Sequence, residues 1–88
     1  MSYPLSFITP SGKIFEGNVE STIAPGTQGV FEILSGHASM AITLKEGTVT
    51  LRQQARKLQF TIGPGILEVA QDHRVLLLAD SAAPTQVI

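Results

Sequence analysis

Apolar residues recur at every second position along several short segments of this 88-residue chain. Leu58, Phe60 and Ile62 are separated by polar residues, and Val49 and Leu51 follow the same spacing. Successive side chains of a β-strand point to opposite faces, so this pattern predicts antiparallel strands with one buried and one wet face. No segment has a convincing helical period.

Turn residues separate these segments at short intervals. The segment Thr-Pro-Ser-Gly at 9–12 suits a type I turn, and Pro25-Gly26 suits a type II turn because glycine tolerates a positive φ. Residues 53–57 are expected at a hairpin tip. Short strands at this spacing predict an all-β sandwich or flattened barrel. The predicted core comprises Phe7, Ile14, Phe15, Ile23, Val49, Leu51, Phe60, Ile66 and Leu77.

Composition narrows the classes of partner. A formal net charge of -1 gives no reason to expect nucleic acid or an anionic membrane surface. The chain has no cysteine, which excludes disulfides and thiolate chemistry and suits a reducing compartment. The longest apolar run, 75–79, is far shorter than the ~20 residues of a membrane helix. Direct insertion into a membrane is therefore not expected.

No group of residues has the spacing of an active site. His37 and His73 are the two histidines and lie far apart in sequence, and the seven carboxylates are scattered singly. The Gly-Pro-Gly at 63–65 lacks the Gly-Lys-Ser/Thr ending of a phosphate loop. We therefore predict no catalytic residue, no cofactor and no metal site. His37 has two interpretations, a partly buried histidine bonded to backbone or an interface residue.

One segment carries more apolar residues than a half-buried strand needs. Val30, Phe31, Ile33 and Leu34 are interrupted only by Glu32. Strict alternation buries Phe31 and Ile33 and exposes Val30 and Leu34, whereas a bulge would shift one of them. The segment is then either a core strand covered on both sides or an adhesive patch for a partner.

Several motifs resemble the N-terminal β-sandwich domain of the epsilon subunit of F-type ATP synthase. They are the segment 9–17 (Thr-Pro-Ser-Gly-Lys-Ile-Phe-Glu-Gly), Gly-His-Ala at 36–38, Lys-Glu-Gly at 45–47, Gly-Ile-Leu-Glu-Val at 65–69 and Leu-Ala-Asp at 78–80. Their order and spacing together are specific. The resemblance implies about ten short antiparallel strands in two sheets. It assigns residues 1–82 to the sandwich and 83–88 to a short C-terminal tail.

The family resemblance also implies a function. Epsilon subunits are non-catalytic parts of the central stalk that bind the gamma subunit and the membrane c-ring, and they couple proton-driven rotation to ATP synthesis. A subunit of this type is held at the cytoplasmic face of the bacterial inner membrane through the complex. The expected interface with gamma and the c-ring comprises Val30, Phe31, Glu32, Leu34, Gly36, His37 and Ala38.

The sequence departs from the family at its end. Residues 83–88 lack the Asp-x-x-Arg-Ala pattern that opens the family's helical hairpin, so neither an inhibitory extension nor ATP binding is expected. The alternatives are a biotinyl- or lipoyl-type carrier module, another all-β interaction domain, and a cupin-type enzyme. A carrier needs a lysine at a hairpin tip between small residues or Met, and neither Lys45 nor Lys57 has such neighbours. A cupin needs a histidine cluster, which the sequence lacks.

Overall fold

Ten strands make up the regular structure of the computed structural model, which describes residues 1–85. The strands are β1 (Tyr3–Thr9), β2 (Gly12–Val19), β3 (Ser21–Gly26), β4 (Gly29–Leu34), β5 (Met40–Leu44), β6 (Gly47–Gln53), β7 (Arg56–Ile62), β8 (Gly65–Val69), β9 (Val75–Ala79) and β10 (Ala82–Pro84). Within this range there is no helix. The prediction of an all-β fold with about ten short strands is confirmed.

The strands form one continuous, twisted arrangement that folds back on itself. The order is β10-β7-β6-β3-β5-β8-β9-β1-β2, and β4 pairs with β3 beside this path. The expectation of exclusively antiparallel neighbours is wrong at one place, because β1 and β9 run parallel, with Leu5 beside Val75 and Ile8 beside Leu78. These two strands lie far apart in sequence and are not joined by a hairpin, so no turn imposes an antiparallel direction.

The core lies between the two layers that this arrangement creates. Phe7, Val49, Leu51, Phe60 and Leu77 are buried as predicted. Ile14 and Phe15 are half-buried and pack against the core.

Two predicted core residues lie elsewhere. Ile66 is 38% exposed because β8 turns Leu67 and Val69 inward instead. Ile23 is only half-buried, since β3 places Thr22 and Ala24 in the core. The phase of burial changes between β2 and β3, where the chain bends at Glu20 and the neighbouring Ser21 and Thr22 are both buried. An alternation read through this bend assigns the wrong face to Ile23.

Of the two turns predicted from the sequence, the one between β1 and β2 is present and the one at Pro25-Gly26 is not. Pro10 and Ser11 connect β1 to β2 as predicted. Pro25 and Gly26, in contrast, belong to β3, and the turn to β4 falls on Thr27 and Gln28. The Pro25 carbonyl accepts the backbone N–H of Lys45 at 2.9 Å. Pro25 is tolerated in β3 because it occupies a non-hydrogen-bonded pair of the β3–β4 ladder, where the strand needs no N–H donor.

The last strand crosses the boundary expected at residue 82. In β10, Ala82 pairs with Ile62 and Pro84 pairs with Phe60. The backbone N–H of Thr85 then donates to the Gln59 carbonyl at 2.9 Å. Residues 86–88 of the expected tail lie outside the described residues.

Candidate partner-binding surface

A hairpin of β3 and β4 presents the apolar segment found in the sequence. The register pairs Gly26 with Gly29 and Ser21 with Leu34 without a bulge. Gly29 adopts φ +137°, a backbone conformation that side chains with a Cβ rarely adopt. Gly29 therefore completes the turn, and its pairing with Gly26 determines which side chains of β4 face inward.

Strict alternation along β4 decides between the two interpretations of this segment. Val30 is 72% and Leu34 is 54% exposed, and Glu32 between them also faces outward. Ile33 is fully buried and Phe31 is half-buried against the core. The strand is thus covered on one side only, and its outer side carries two large apolar residues beside a carboxylate. Among the seven expected interface residues, Phe31 is the one that points inward.

The end of β4 is shaped by the next three residues. Gly36 adopts φ +83°, and the backbone N–H of His37 donates to the Leu34 carbonyl at 3.2 Å. The His37 ring is half-buried, and its Nδ1 donates to the Ala38 carbonyl at 2.9 Å. A carbonyl is only an acceptor, so this contact fixes the proton on Nδ1. Within residues 1–85, His37 bonds to backbone carbonyls, as the first of its two interpretations predicted.

A buried tyrosine holds β4 from the inside. The Tyr3 hydroxyl lies 2.7 Å from Thr22 Oγ1 and donates to the Ile33 carbonyl at 2.9 Å. Burial is the main cause that raises the Tyr3 pKa from 10.0 to about 12, and the nearby Glu32 charge acts in the same direction. Sequence reasoning missed this residue. The alternation of Tyr3, Leu5 and Phe7 indicates burial, but nothing in it pairs Tyr3 with β4.

The titration of Tyr3 gives a direct test of this anchor. Tyr3 is the chain's only tyrosine and there is no tryptophan, so the absorbance of tyrosinate reports this residue alone. After a rapid pH jump, the folded chain should ionise near pH 12 and the urea-unfolded chain near pH 10. The folded pKa is the higher one, so its stabilising contribution is complete below pH 10 and is lost as the pH rises through 12. The loss should be about 2–3 kcal/mol. Ionisation of the folded chain near pH 10 would contradict the anchor.

The described part of the chain offers no converging chemical groups. Residues 1–85 contain no cluster of three His, Cys, Asp or Glu side chains able to hold a metal ion. The ion pairs Lys13–Glu16 and Arg74–Asp72 are solvent-exposed, and His73 lies in an exposed loop with φ +68°. No helix in this range has the length and apolar character that a membrane span requires. The feature that stands out is the outer side of β4.

The described chain is a small all-β domain with exposed apolar side chains on an edge strand. The sequence model of the β-sandwich domain of the ATP synthase delta/epsilon chain matches residues 2–85. The chain belongs to this family. The epsilon-type identification is confirmed, and so is the expectation of a non-catalytic subunit. Membership in this family excludes the carrier-module and cupin interpretations of the sequence.

Individual relatives carry the same description. The ATP synthase epsilon chain of Helicobacter acinonychis is 35% identical over 78 residues, which cover 89% of this chain and 63% of that protein. The epsilon chain of Chlorobaculum tepidum is 38% identical over 77 residues, which cover 86% of this chain and 88% of that protein. The chain thus spans less than two thirds of the length of the Helicobacter relative.

Solved structures share the fold. A subunit in the Euglena gracilis mitochondrial ATP synthase, in a structure that includes the c-ring, superposes with a TM-score of 0.88 at 20% identity. The match covers 94% of this chain and 53% of that one. A subunit in the central stalk and c-ring structure of the Tetrahymena thermophila enzyme gives 0.80 at 13% identity, covering 94% and 66%. At these identities the likeness concerns the fold.

Proposed function

We propose that the chain is a non-catalytic rotor subunit of the F-type ATP synthase central stalk. It links the gamma subunit to the membrane c-ring, so that proton-driven rotation of the ring is passed on to ATP synthesis. The complex holds it at the cytoplasmic face of the bacterial inner membrane. The family membership and the epsilon-chain relatives support this proposal.

The observation that carries the proposal is the outer side of β4. An aliphatic side chain loses roughly 1.5–3 kcal/mol of favourable burial when it stays in water. Val30 and Leu34 are left exposed on one face, on either side of Glu32, and the strand's other face is packed against the core and held by Tyr3. Such a surface is stabilised when a partner covers it. Together with Glu32 and the segment 36–38, it forms the proposed contact with gamma and the c-ring.

The fold also suits a part that transmits torque. A cluster of buried apolar side chains fills the core, and packed protein interiors have low compressibility. Nine strands are bonded in an unbroken series from β10 to β2. Force applied at the β3–β4 hairpin therefore acts on the whole domain rather than on a separate lobe.

Charge substitutions on this surface test the proposal. Leu34→Asp and Val30→Asp should each prevent or strongly weaken assembly with gamma and the c-ring, because they place an unpaired carboxylate in an apolar contact. The isolated variants should keep the parent's circular dichroism and urea midpoint, since both side chains are exposed. Assembly is measured by co-purification and quantitative mass spectrometry.

Leu78→Asp serves as the matched control. Leu78 is 39% exposed and lies on β9, which does not pair with the β3–β4 hairpin. This variant should assemble like the parent. Normal assembly of both β4 variants would contradict the proposed contact. Equal loss of assembly in the two β4 variants and the Leu78→Asp control would contradict it as well.

A further inference from the structure

Within residues 1–85, β10, β2 and β4 each pair with a single neighbouring strand, and two of these three strands are protected at their free edge. β10 is three residues long and ends in Pro84, which has no N–H to offer. β2 carries the exposed Lys13–Glu16 ion pair, and Gln53 Nε2 donates to the Asn18 carbonyl at 2.9 Å. Charged residues, proline and short length are the devices by which proteins block pairing at sheet edges.

The third edge strand, β4, has none of these devices except one carboxylate. It spans six residues and contains neither lysine nor proline, and within the described residues it pairs with β3 alone. An unprotected strand of this length is a template for pairing with another extended segment. Such an edge is a surface that a partner strand can complete.

The phase of hydrogen bonding shows which backbone groups face the free edge. Val30 is the register partner of Pro25, which has no N–H and whose carbonyl is bonded to Lys45 on the opposite side. Bonded and non-bonded pairs alternate along an antiparallel ladder, so Phe31 and Ile33 bond to β3. The N–H and C=O groups of Val30 and Glu32 therefore point away from β3, as does the N–H of Leu34.

The side chains of Val30, Glu32 and Leu34 determine which kind of segment can pair with the free edge of β4. Val30 and Leu34 are apolar and exposed, and Glu32 lies between them. Within residues 1–85, Glu32 has no cation within ion-pairing distance. A cross-strand neighbour of opposite charge stabilises such a position, and apolar neighbours suit the two flanking ones.

A second copy of this chain is a poorer match. The register that uses Val30, Glu32 and Leu34 of both copies places Val30 opposite Leu34 and the two Glu32 carboxylates opposite each other. Like charges directly opposite one another destabilise a pair of strands. The edge thus favours a different, basic segment over self-pairing.

We propose that β4 is completed in the assembly by an extended segment of a partner subunit that adds a strand to its free edge. This segment carries apolar side chains opposite Val30 and Leu34 and a lysine or arginine opposite Glu32. The inference rests on the proposed function for the existence of the complex. It goes further by stating that backbone hydrogen bonds, and not side-chain contact alone, join this surface to its partner.

Hydrogen exchange resolved to single amides tests the added strand. In the free chain, the Val30 and Glu32 amides should exchange about a hundredfold faster than those of Phe31 and Ile33, which are bonded to β3. In the purified ATP synthase complex all four should be protected. If the complex holds the chain while the Val30 and Glu32 amides exchange as in the free chain, the inference is overturned and the proposed function stands. If no such complex forms, the proposed function fails and the inference with it.

A backbone variant separates hydrogen bonding from side-chain contact. The 88-residue chain can be assembled by chemical ligation with an N-methyl group on Glu32, which removes the outward donor and keeps the side chain. Its affinity for the complex lacking this subunit should fall at least about tenfold, the effect of one lost hydrogen bond of about 1.4 kcal/mol. Unchanged protection of the Phe31 and Ile33 amides confirms that the hairpin is intact. Unchanged affinity would overturn the inference.

The charge of Glu32 is tested by two side-chain variants. Glu32→Lys should bind at least about tenfold more weakly than Glu32→Gln, because reversal places two cations opposite each other whereas glutamine only removes the attraction. Raising the salt concentration should narrow the difference. Equal affinities of the two variants at low salt would overturn the assignment of a basic partner residue.

Discussion

Replacing Phe7 with alanine is expected to lower the free energy of unfolding by about 3–5 kcal/mol. The Phe7 side chain is fully buried at the centre of β1, which is bonded to β2 on one side and to β9 on the other. Its ring meets the ring of Phe60 edge to face, with centroids 5.3 Å apart. Alanine would remove this pair and leave a cavity where the two layers meet. Small domains have only about 5–15 kcal/mol in total, so the variant should be near its unfolding threshold.

Urea denaturation of the Phe7→Ala variant measures this loss. Phe15→Ala is the matched control, because Phe15 lies opposite Phe7 on β2 but is only half-buried. The control should lose clearly less stability than Phe7→Ala. A loss below about 1 kcal/mol for Phe7→Ala, typical of an average substitution, would contradict the described core.

A single methyl group at residue 65 should have an effect of similar size. Gly65 is the register partner of Ala79, and a Cβ at this position would overlap the Leu78 carbonyl oxygen and come within 2.8 Å of the Ala79 Cα. These are backbone atoms of β9, which cannot move aside as a flexible side chain can. Gly65→Ala should therefore force β8 and β9 apart at a cost of about 3 kcal/mol or more.

Thermal and urea unfolding of Gly65→Ala test the close approach of β8 and β9. Gly17→Ala provides the control, because its added methyl would come within 3.3 Å only of the Phe15 ring, a half-buried side chain that can shift. The control should change stability much less. If Gly65→Ala were as stable as the parent chain, the described register between β8 and β9 would be wrong.

The sequence predicts the fold where alternation is uninterrupted. In β6 and β7 a single phase runs through the strand, and Val49, Leu51 and Phe60 are buried as predicted. The predicted core takes the wrong residue of the adjacent pair Ile66 and Leu67. Glu68 faces outward with Ile66, and Val69 faces inward with Leu67, so the alternation along the whole of β8 carries the observed phase.

Long-range pairing was beyond the reach of the sequence. No turn connects β9 to β1, so their parallel direction depends on how the whole chain closes. Likewise, Pro25-Gly26 has the composition of a turn, but β4 and β5 supply neighbours that hold it in a strand.

The candidate surface was predictable only in part from the sequence. Four large apolar residues in five positions exceed what one face of a strand can bury, and an exposed patch around Val30 and Leu34 is one of the two interpretations that the sequence leaves open. Two further features are visible only in the structure. These are the anchoring of β4 by Tyr3 and the absence, within residues 1–85, of a strand beyond β4.

Purification of the affinity-tagged chain from native membranes tests whether it is a rotor subunit. The gamma subunit and the c-ring should co-purify with the parent chain in fixed stoichiometry, and both should be lost with Leu34→Asp but retained with Leu78→Asp. Recovery of an intact, active ATP synthase without the tagged chain, alongside the tagged chain free of gamma and c-ring, would contradict the rotor assignment.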